Sequence, residues 1–238
     1  MRSFKNLEKI GEGDEKEIYQ DPDSKGRVIA RIKERENPSQ RERAEMIKAR
    51  YYLSKIVHML FPDTVPDIFG ASFEEERGAQ NAVLKIEKKS MGPKHEKIEG
   101  LKRALEGTWE NADDLAAELH TAQMAMRQHL KNDPQFKKFF SEMDSLGIMI
   151  DASEVNFGYD DKGKLIYVDN SFRPWHIDGD GDSGPGRVVY HFDERALEKK
   201  IASLPEEDRV HAVSYFERLK ELADEDLNNW NKSHVEFS

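Results

Sequence analysis

The chain has 238 residues, no cysteine and a net charge of −10, with 37% hydrophobic and 35% charged residues. These values exclude disulfides, thiolate catalysis and cysteine-ligated zinc, and they disfavour nucleic acid and anionic membranes, which bind clustered Lys and Arg. No stretch approaches the ~18 apolar residues of a membrane helix, and residues 1–10 lack the apolar core of a signal peptide. We therefore expect a soluble, cytoplasmic protein with no nucleic-acid or membrane partner.

The first third of the chain predicts an antiparallel sheet and one helix. Two glycines end the first apolar segment, and a hairpin follows with arms at 17–20 and 27–33 around the turn-forming sequence DPDSKG. Apolar residues at helical spacing then predict a helix that is capped by Asn37 or Ser39 and ended by Pro62. Two further strands are expected in VPDIFGASFEE and QNAVLKIEKK.

The rest of the chain predicts mainly helices. SMGPKHEKIEG interrupts the pattern with glycine and proline, and it is the predicted boundary between an N-terminal lobe, 1–90, and a C-terminal lobe, 91–238. Helices are predicted in NADDLAAELHTAQMAMRQHL, in PQFKKFFSEMDSLG and at about 193–203 and 206–232, whereas RPWHIDGDGDSGPGR is predicted as a loop. Strands first and helices second indicate an α+β chain of two lobes with a cleft between them.

The stretch LGIMIDASEVNFGYDDKGKLIYVDN places three polar residues beside short apolar segments. Asp151 and Asp169 each follow such a segment, and Asn156 lies between them, within a predicted hairpin region at 147–170. Any one of them alone is more often an ordinary turn residue, because Asp and Asn favour turns. Together, two carboxylates and an amide oxygen are a set of hard oxygen ligands that suits Mg²⁺ with phosphate oxygens.

This stretch resembles the catalytic core of the protein kinase-like superfamily. DASEVN has an aspartate, four residues and an asparagine, as in that family's catalytic loop, and YVDN resembles the segment that carries its metal-binding aspartate. The resemblance implies that Asp151 orients the acceptor hydroxyl. It implies that Asn156 is a metal ligand and that Asp169 is the principal metal ligand.

The N-terminal third shares the resemblance. IGEGDEKEIY is similar to the family's glycine-rich loop, with Gly11 and Gly13 at its first two glycines, although two glycines in a β-turn are also common. VIARIK resembles the strand that bears the phosphate-binding lysine. Arg31 and Lys33 share one face at period two, and the resemblance favours Lys33, because of its distance from the glycine loop.

The resemblance also implies a glutamate on the following helix that holds the phosphate-binding lysine. Glu45 is the first candidate and Glu42 the second. An alignment on YYLSKI instead puts Ala49 at that position, so the register of this helix stays open.

Several positions depart from the family pattern. Lys16 stands where the third glycine is expected, and Met149 and Ile150 replace the His and Arg before the catalytic aspartate. DNS replaces D-F-G, and no A-P-E follows Asp169. The C-terminal part is short for the helical subdomain of an ordinary protein kinase. The chain therefore resembles the compact, atypical kinases of the superfamily.

Three functions remain open at the level of sequence. The first is an ATP-dependent phosphotransferase with Mg²⁺ that moves the γ-phosphate to a hydroxyl of an unknown protein or small-molecule acceptor. The second is a pseudokinase-like module that binds nucleotide or protein without catalysis. The third is a charged α+β domain with unrelated turns. His176 and His191 are expected to lack ligand partners, and Met124 and Met126 are expected in the core.

Overall fold

The computed structural model describes residues 4–12, 16–32, 40–76, 79–107, 111–169, 172–179 and 185–235. The fold is mixed α+β, as predicted. Its strands are β1 (Lys9–Glu12), β2 (Lys16–Gln20), β3 (Arg27–Ile32), β4 (Ile68–Glu76), β5 (Ala79–Glu87), β6 (Phe157–Tyr159), β7 (Leu165–Tyr167), β8 (Trp175–Asp178) and β9 (Arg187–Tyr190). Its helices are α1 (Gln40–Leu60), α2 (Gly92–Gly107), α3 (Ala112–Asn132), α4 (Pro134–Ser145), α5 (Glu194–Ala202) and α6 (Glu206–Val235).

The first five strands form one antiparallel sheet in the order β1-β2-β3-β5-β4. The predicted hairpin is confirmed as β2 and β3, in which Ile18 lies opposite Ala30 and Glu17 opposite Arg31. Directly opposed residues lie on one face of a sheet, so this register separates two faces. Ala30 packs against α1, whereas Ile29 packs with Phe4 and Tyr19 on the other face.

The helix α1 joins the sheet to the rest of the protein. Its Ile47 packs into the small apolar cluster beneath the sheet. Ala49, Leu53, Ile56 and Val57 face a larger cluster, which also takes side chains from α3, α4, α5, α6 and the β6–β7 hairpin. One helix therefore contributes to both cores, and the capping residues predicted for it lie outside the described part of the chain.

The segment predicted as the boundary between lobes contains the beginning of α2. Gly92 has a φ of 70° and precedes Pro93. Proline is compatible with the first turn of a helix, because its missing N–H has no intrahelical partner there. α3 and α4 are confirmed, and Asp133 caps α4 by accepting hydrogen bonds from the backbone N–H groups of Gln135 and Phe136.

The region predicted as a loop after residue 172 contains β8 and β9, which pair antiparallel. Trp175 begins this hairpin, is fully buried and donates its indole N–H to Asp226 of α6 at 2.9 Å. Of the two methionines expected in the core, Met126 is buried but Met124 is 46% exposed. Among the helices of the described ranges, none combines the length and apolarity that crossing a membrane requires.

Candidate functional site

The loop that carries Asp151 begins where α4 ends. Gly147 has a φ of 67°, its N–H donates to Asp144 O at 2.9 Å, and Ile148 N donates to Met143 O at 3.0 Å. This left-handed glycine cap ends the helix and turns the chain. Residues 148–150, the apolar segment before Asp151, form no strand, and the strands of the predicted hairpin region are β6 and β7.

Asp151 and Asn156 are in direct contact. The Asp151 carboxylate accepts a hydrogen bond from Ser153 N at 2.9 Å and another from Asn156 Nδ2 at 2.8 Å. An ionised carboxylate only accepts, so the amide nitrogen must face it and the amide oxygen is directed elsewhere. This arrangement fits Asn156 as a metal ligand through its oxygen.

Tyr167, at the end of β7, lies beneath both acids. Its side chain is buried, and its hydroxyl accepts a hydrogen bond from Asp151 N at 3.2 Å. Burial, and then the negative charge of Asp169, raise the pKa of this hydroxyl. The hydroxyl therefore stays protonated and fixes the backbone that carries Asp151.

Asp169 contacts a lysine from the distant five-stranded sheet. Its Oδ1 lies 3.1 Å from Lys16 Nζ, and the two side chains are 17% and 20% exposed. The residue before Asp169 is tied to the same loop, since Val168 N donates to Asn156 O at 3.0 Å. The structure thus connects Asp151 to Asn156 directly and places Asp169 next to Val168, whose backbone N–H bonds to Asn156, while Lys16 contacts Asp169.

A buried glutamate in the DASEVN segment anchors the loop from behind. Glu154 is 4% exposed and accepts hydrogen bonds from Arg127 Nε at 3.3 Å and Arg127 Nη2 at 3.0 Å. His95 of α2 contacts Val155 O at 2.8 Å. Two helices therefore hold the loop between Asp151 and Asn156.

Arg31 lies on the opposite face of the sheet from Lys16. Its Nη1 is 3.3 Å from Glu17 Oε2, and its guanidinium lies over the Phe4 ring at 5.2 Å. Gly11 lies in β1, where an added Cβ would be 3.7 Å from Ile18 Cβ, an ordinary contact. The backbone geometry at Gly11 therefore does not itself demand glycine.

Three other predicted site residues are not described in full. Gly13 and Lys33 lie outside the described residues, and Glu45 lies in α1 with its side chain outside them. Two residues that contact the predicted site residues are not predicted from the sequence, namely Lys16 and Tyr167. The sequence marks Lys16 only as a departure from the glycine pattern, and it gives no signal that singles out Tyr167.

The side chains at this site fit a hydrated Mg²⁺ better than a cation enclosed by protein. Across the described part of the chain, no group of three or more His, Asp or Glu side chains is arranged to hold a metal. Mg²⁺ is commonly bound by one or two carboxylates together with substrate phosphates and waters. Asn156 and Asp169 supply that kind of partial ligand set.

Two further features lie away from the acids. His176 Nδ1 and His191 Nε2 are 2.8 Å apart, so each of these histidines has the other as its hydrogen-bond partner. A cavity of about 580 Å³ lies between α5 and α6, lined by Ile201, Val213, Phe216 and charged residues. Neither feature contacts the site around Asp151.

No protein-family profile matches this chain, and no curated protein is significantly similar to it.

Proposed function

We propose that this chain is an ATP-dependent phosphotransferase that moves the γ-phosphate of ATP to an acceptor hydroxyl. One observation carries the proposal. Asp151, Asn156 and Asp169 occur at the spacing of a kinase-like catalytic loop, and they are linked by the hydrogen bonds of Asn156 to Asp151 and of Val168 to Asn156. The Val168–Asn156 bond continues the β6–β7 register, so the hairpin brings the segment that carries Asp169 next to Asn156.

Each residue has one role in the proposed reaction. Asp151 accepts a hydrogen bond from the acceptor hydroxyl and takes its proton as the oxygen attacks phosphorus. Ser153 N and Asn156 Nδ2 hold the Asp151 carboxylate in a fixed orientation. The bond from the γ-phosphorus to the bridging oxygen breaks, and ADP leaves.

Asn156 and Asp169 would hold Mg²⁺ through the amide oxygen and the carboxylate. When it is bound, the ion supplies positive charge that neutralises the phosphate oxygens. Most of the rate enhancement in phosphoryl transfer comes from positioning and charge stabilisation, so the loss of either carboxylate is expected to be severe.

The test compares the wild type with Asp169→Asn, in thermal melts with ATP with and without Mg²⁺ and in ADP release. ATP at about 100 times its dissociation constant is expected to stabilise the wild type by about 2.7 kcal/mol. The variant should lose the Mg²⁺-dependent part of this shift and the turnover, while it remains folded. Asp161→Asn, an exposed position in the β6–β7 turn, is the matched control.

The proposal fails if Asp169→Asn turns over ATP at the wild-type rate, or if ATP and Mg²⁺ leave the wild-type melt unchanged.

The Lys16–Asp169 ion pair favours a second candidate, a regulatory module on the same fold without catalysis. A lysine that remains on Asp169 would compete with Mg²⁺ for the carboxylate. Such a module would be stabilised by ATP in the thermal melt, but Mg²⁺ would add no further stability and no ADP would be released. The same experiment therefore separates the two functions.

A further inference from the structure

We propose that Lys16 of β2 is the residue that binds the ATP phosphates, in place of Lys33 or Arg31 of the β3 segment. The inference rests on the proposed phosphotransferase function and assigns a residue within that site. It starts from one contact: Lys16 Nζ lies 3.1 Å from Asp169 Oδ1 and joins parts of the chain that are 153 positions apart.

The register of the sheet directs Lys16 to the face that α1 covers. Lys16 lies opposite Ile32 in the β2–β3 pair, as Ile18 lies opposite Ala30. Ile18, Ala30 and Ile32 all belong to the apolar cluster around Ile47 of α1. Lys16 therefore lies on the same face of the sheet as Ile18, Ala30 and Ile32, and from this face it contacts Asp169.

The residues of β3 do not place a cation on that face. Val28, Ala30 and Ile32 alternate there, and Ile32 occupies the position directly across from Lys16. Arg31 is on the other face with Glu17 and Phe4. Among the described residues of β2 and β3, the positive charge on the face toward Asp169 is therefore that of Lys16.

The position of Lys16 suits a phosphate ligand. It begins β2, within the sequence IGEGDEKEIY that resembles a glycine-rich phosphate-binding loop. An ammonium group carries three donors, so the contact of Lys16 with Asp169 does not exclude a contact with phosphate oxygens. Phosphates held through a cation on Asp169 would lie beside this ammonium group.

A purely structural role explains the pair less well. Partly buried ion pairs add little net stability, because the loss of hydration offsets the attraction between the charges. A role in binding explains the pair better. If Mg·ATP binds between the sheet and the β6–β7 hairpin, Lys16 can contact the phosphates and Asp169 can bind the Mg²⁺.

The first test is calorimetric titration of the full chain with Mg·ATP and with adenosine. Lys16→Met should weaken Mg·ATP binding roughly 10- to 100-fold, the loss expected for a charge-assisted contact, and leave adenosine binding within about twofold. Lys16→Arg should recover part of the loss. Lys9→Met removes a lysine from the same sheet, on the face that bears Tyr19, and should bind Mg·ATP like the wild type.

The second test needs no variant and therefore does not depend on how well Lys16→Met folds. An acyl-phosphate derivative of ATP acylates a lysine next to the bound phosphates: the amine attacks the acyl carbon, the bond to the phosphate oxygen breaks, and ATP and a proton leave. Peptide mapping should find the acyl group on Lys16, with protection by excess ATP.

Two results overturn the inference alone: acylation of Lys33 with Lys16 unmodified, or wild-type Mg·ATP affinity in Lys16→Met while Asp169→Asn loses it. A wild type that binds neither ATP nor adenosine overturns the proposed function itself, and the inference with it.

Discussion

At the scale of single residues, Tyr167 connects the two halves of the candidate site. Its buried hydroxyl accepts the hydrogen bond from Asp151 N, and it lies close enough to Asp169 for that charge to raise its pKa. Removing the hydroxyl would leave a backbone N–H beneath the site without this partner. In the proposed reaction Tyr167 is a positioning residue, because its hydroxyl holds the backbone of Asp151.

We predict that Tyr167→Phe lowers the free energy of unfolding by about 1–2 kcal/mol, the cost of a lost buried hydrogen bond. ADP release should fall about tenfold with little change in the KM for ATP, because a displaced Asp151 affects the reaction rather than nucleotide binding. Urea unfolding and steady-state kinetics measure the two effects.

Tyr190→Phe is the matched control, since Tyr190 lies in β9 away from the acids and burial raises its pKa to about 12. Equal losses of turnover in both variants would contradict a specific role for Tyr167.

The residues of the site differ in how far the sequence could predict them. Asp151 and Asn156 lie five positions apart on one loop, so local spacing sufficed to pair them. Lys16 and Asp169 are 153 positions apart, and only the tertiary fold brings their side chains into contact. No local pattern carries that information, so the sequence cannot predict this pair.

At the scale of elements, the β8–β9 hairpin carries a pH-dependent contact. His176 and His191 are in hydrogen-bond contact across its base. Burial, followed by the positive charges of His176 and Arg173, lowers the pKa of His191 below its ordinary value of 6.5. Below pH 6.5 the imidazole of His191 therefore binds a proton more readily in the unfolded chain than in the folded protein.

We predict that the neutral His191 contributes to the free energy of unfolding and that this contribution is fully present above pH 6.5. The contribution should be lost as the pH falls from 6.5 through the lower pKa that His191 has in the folded state. Urea unfolding at several pH values should show a weaker dependence in His191→Gln. His120→Gln, on an exposed position of α3, should keep the wild-type dependence. Identical pH profiles of wild type and His191→Gln would refute the assignment.

The same hairpin shows why some elements were missed. Trp175–Asp178 and Arg187–Tyr190 are four residues each, and the sequence between them is rich in Gly and Asp, which ordinarily indicates a loop. What fixes the strands is tertiary: Trp175 is buried against α6 and bonded to Asp226. By contrast α1, α3 and α4 have long apolar periodicity or a clear cap, and the sequence predicted them.

At the scale of the whole molecule, α1 determines how the parts depend on one another. Ile47 belongs to the cluster beneath the sheet, whereas Leu53 and Ile56 belong to the large cluster with the C-terminal helices. Tyr52 also stacks on Tyr215 of α6 with ring centroids 5.8 Å apart. A helix shared in this way couples the sheet to the helical part.

This coupling predicts that the chain unfolds as one unit. Leu53→Ala removes a fully buried side chain and is expected to lower the free energy of unfolding by about 2–5 kcal/mol. The loss should appear as one urea transition that far-UV circular dichroism and tryptophan fluorescence report at the same midpoint, because neither core keeps its packing without α1. Met124→Ala, at an exposed position of α3, should change stability by less than about 0.5 kcal/mol. Two separated transitions in the wild type or in Leu53→Ala would instead mean that the sheet and the helices are independent lobes, each stable without the packing that α1 provides.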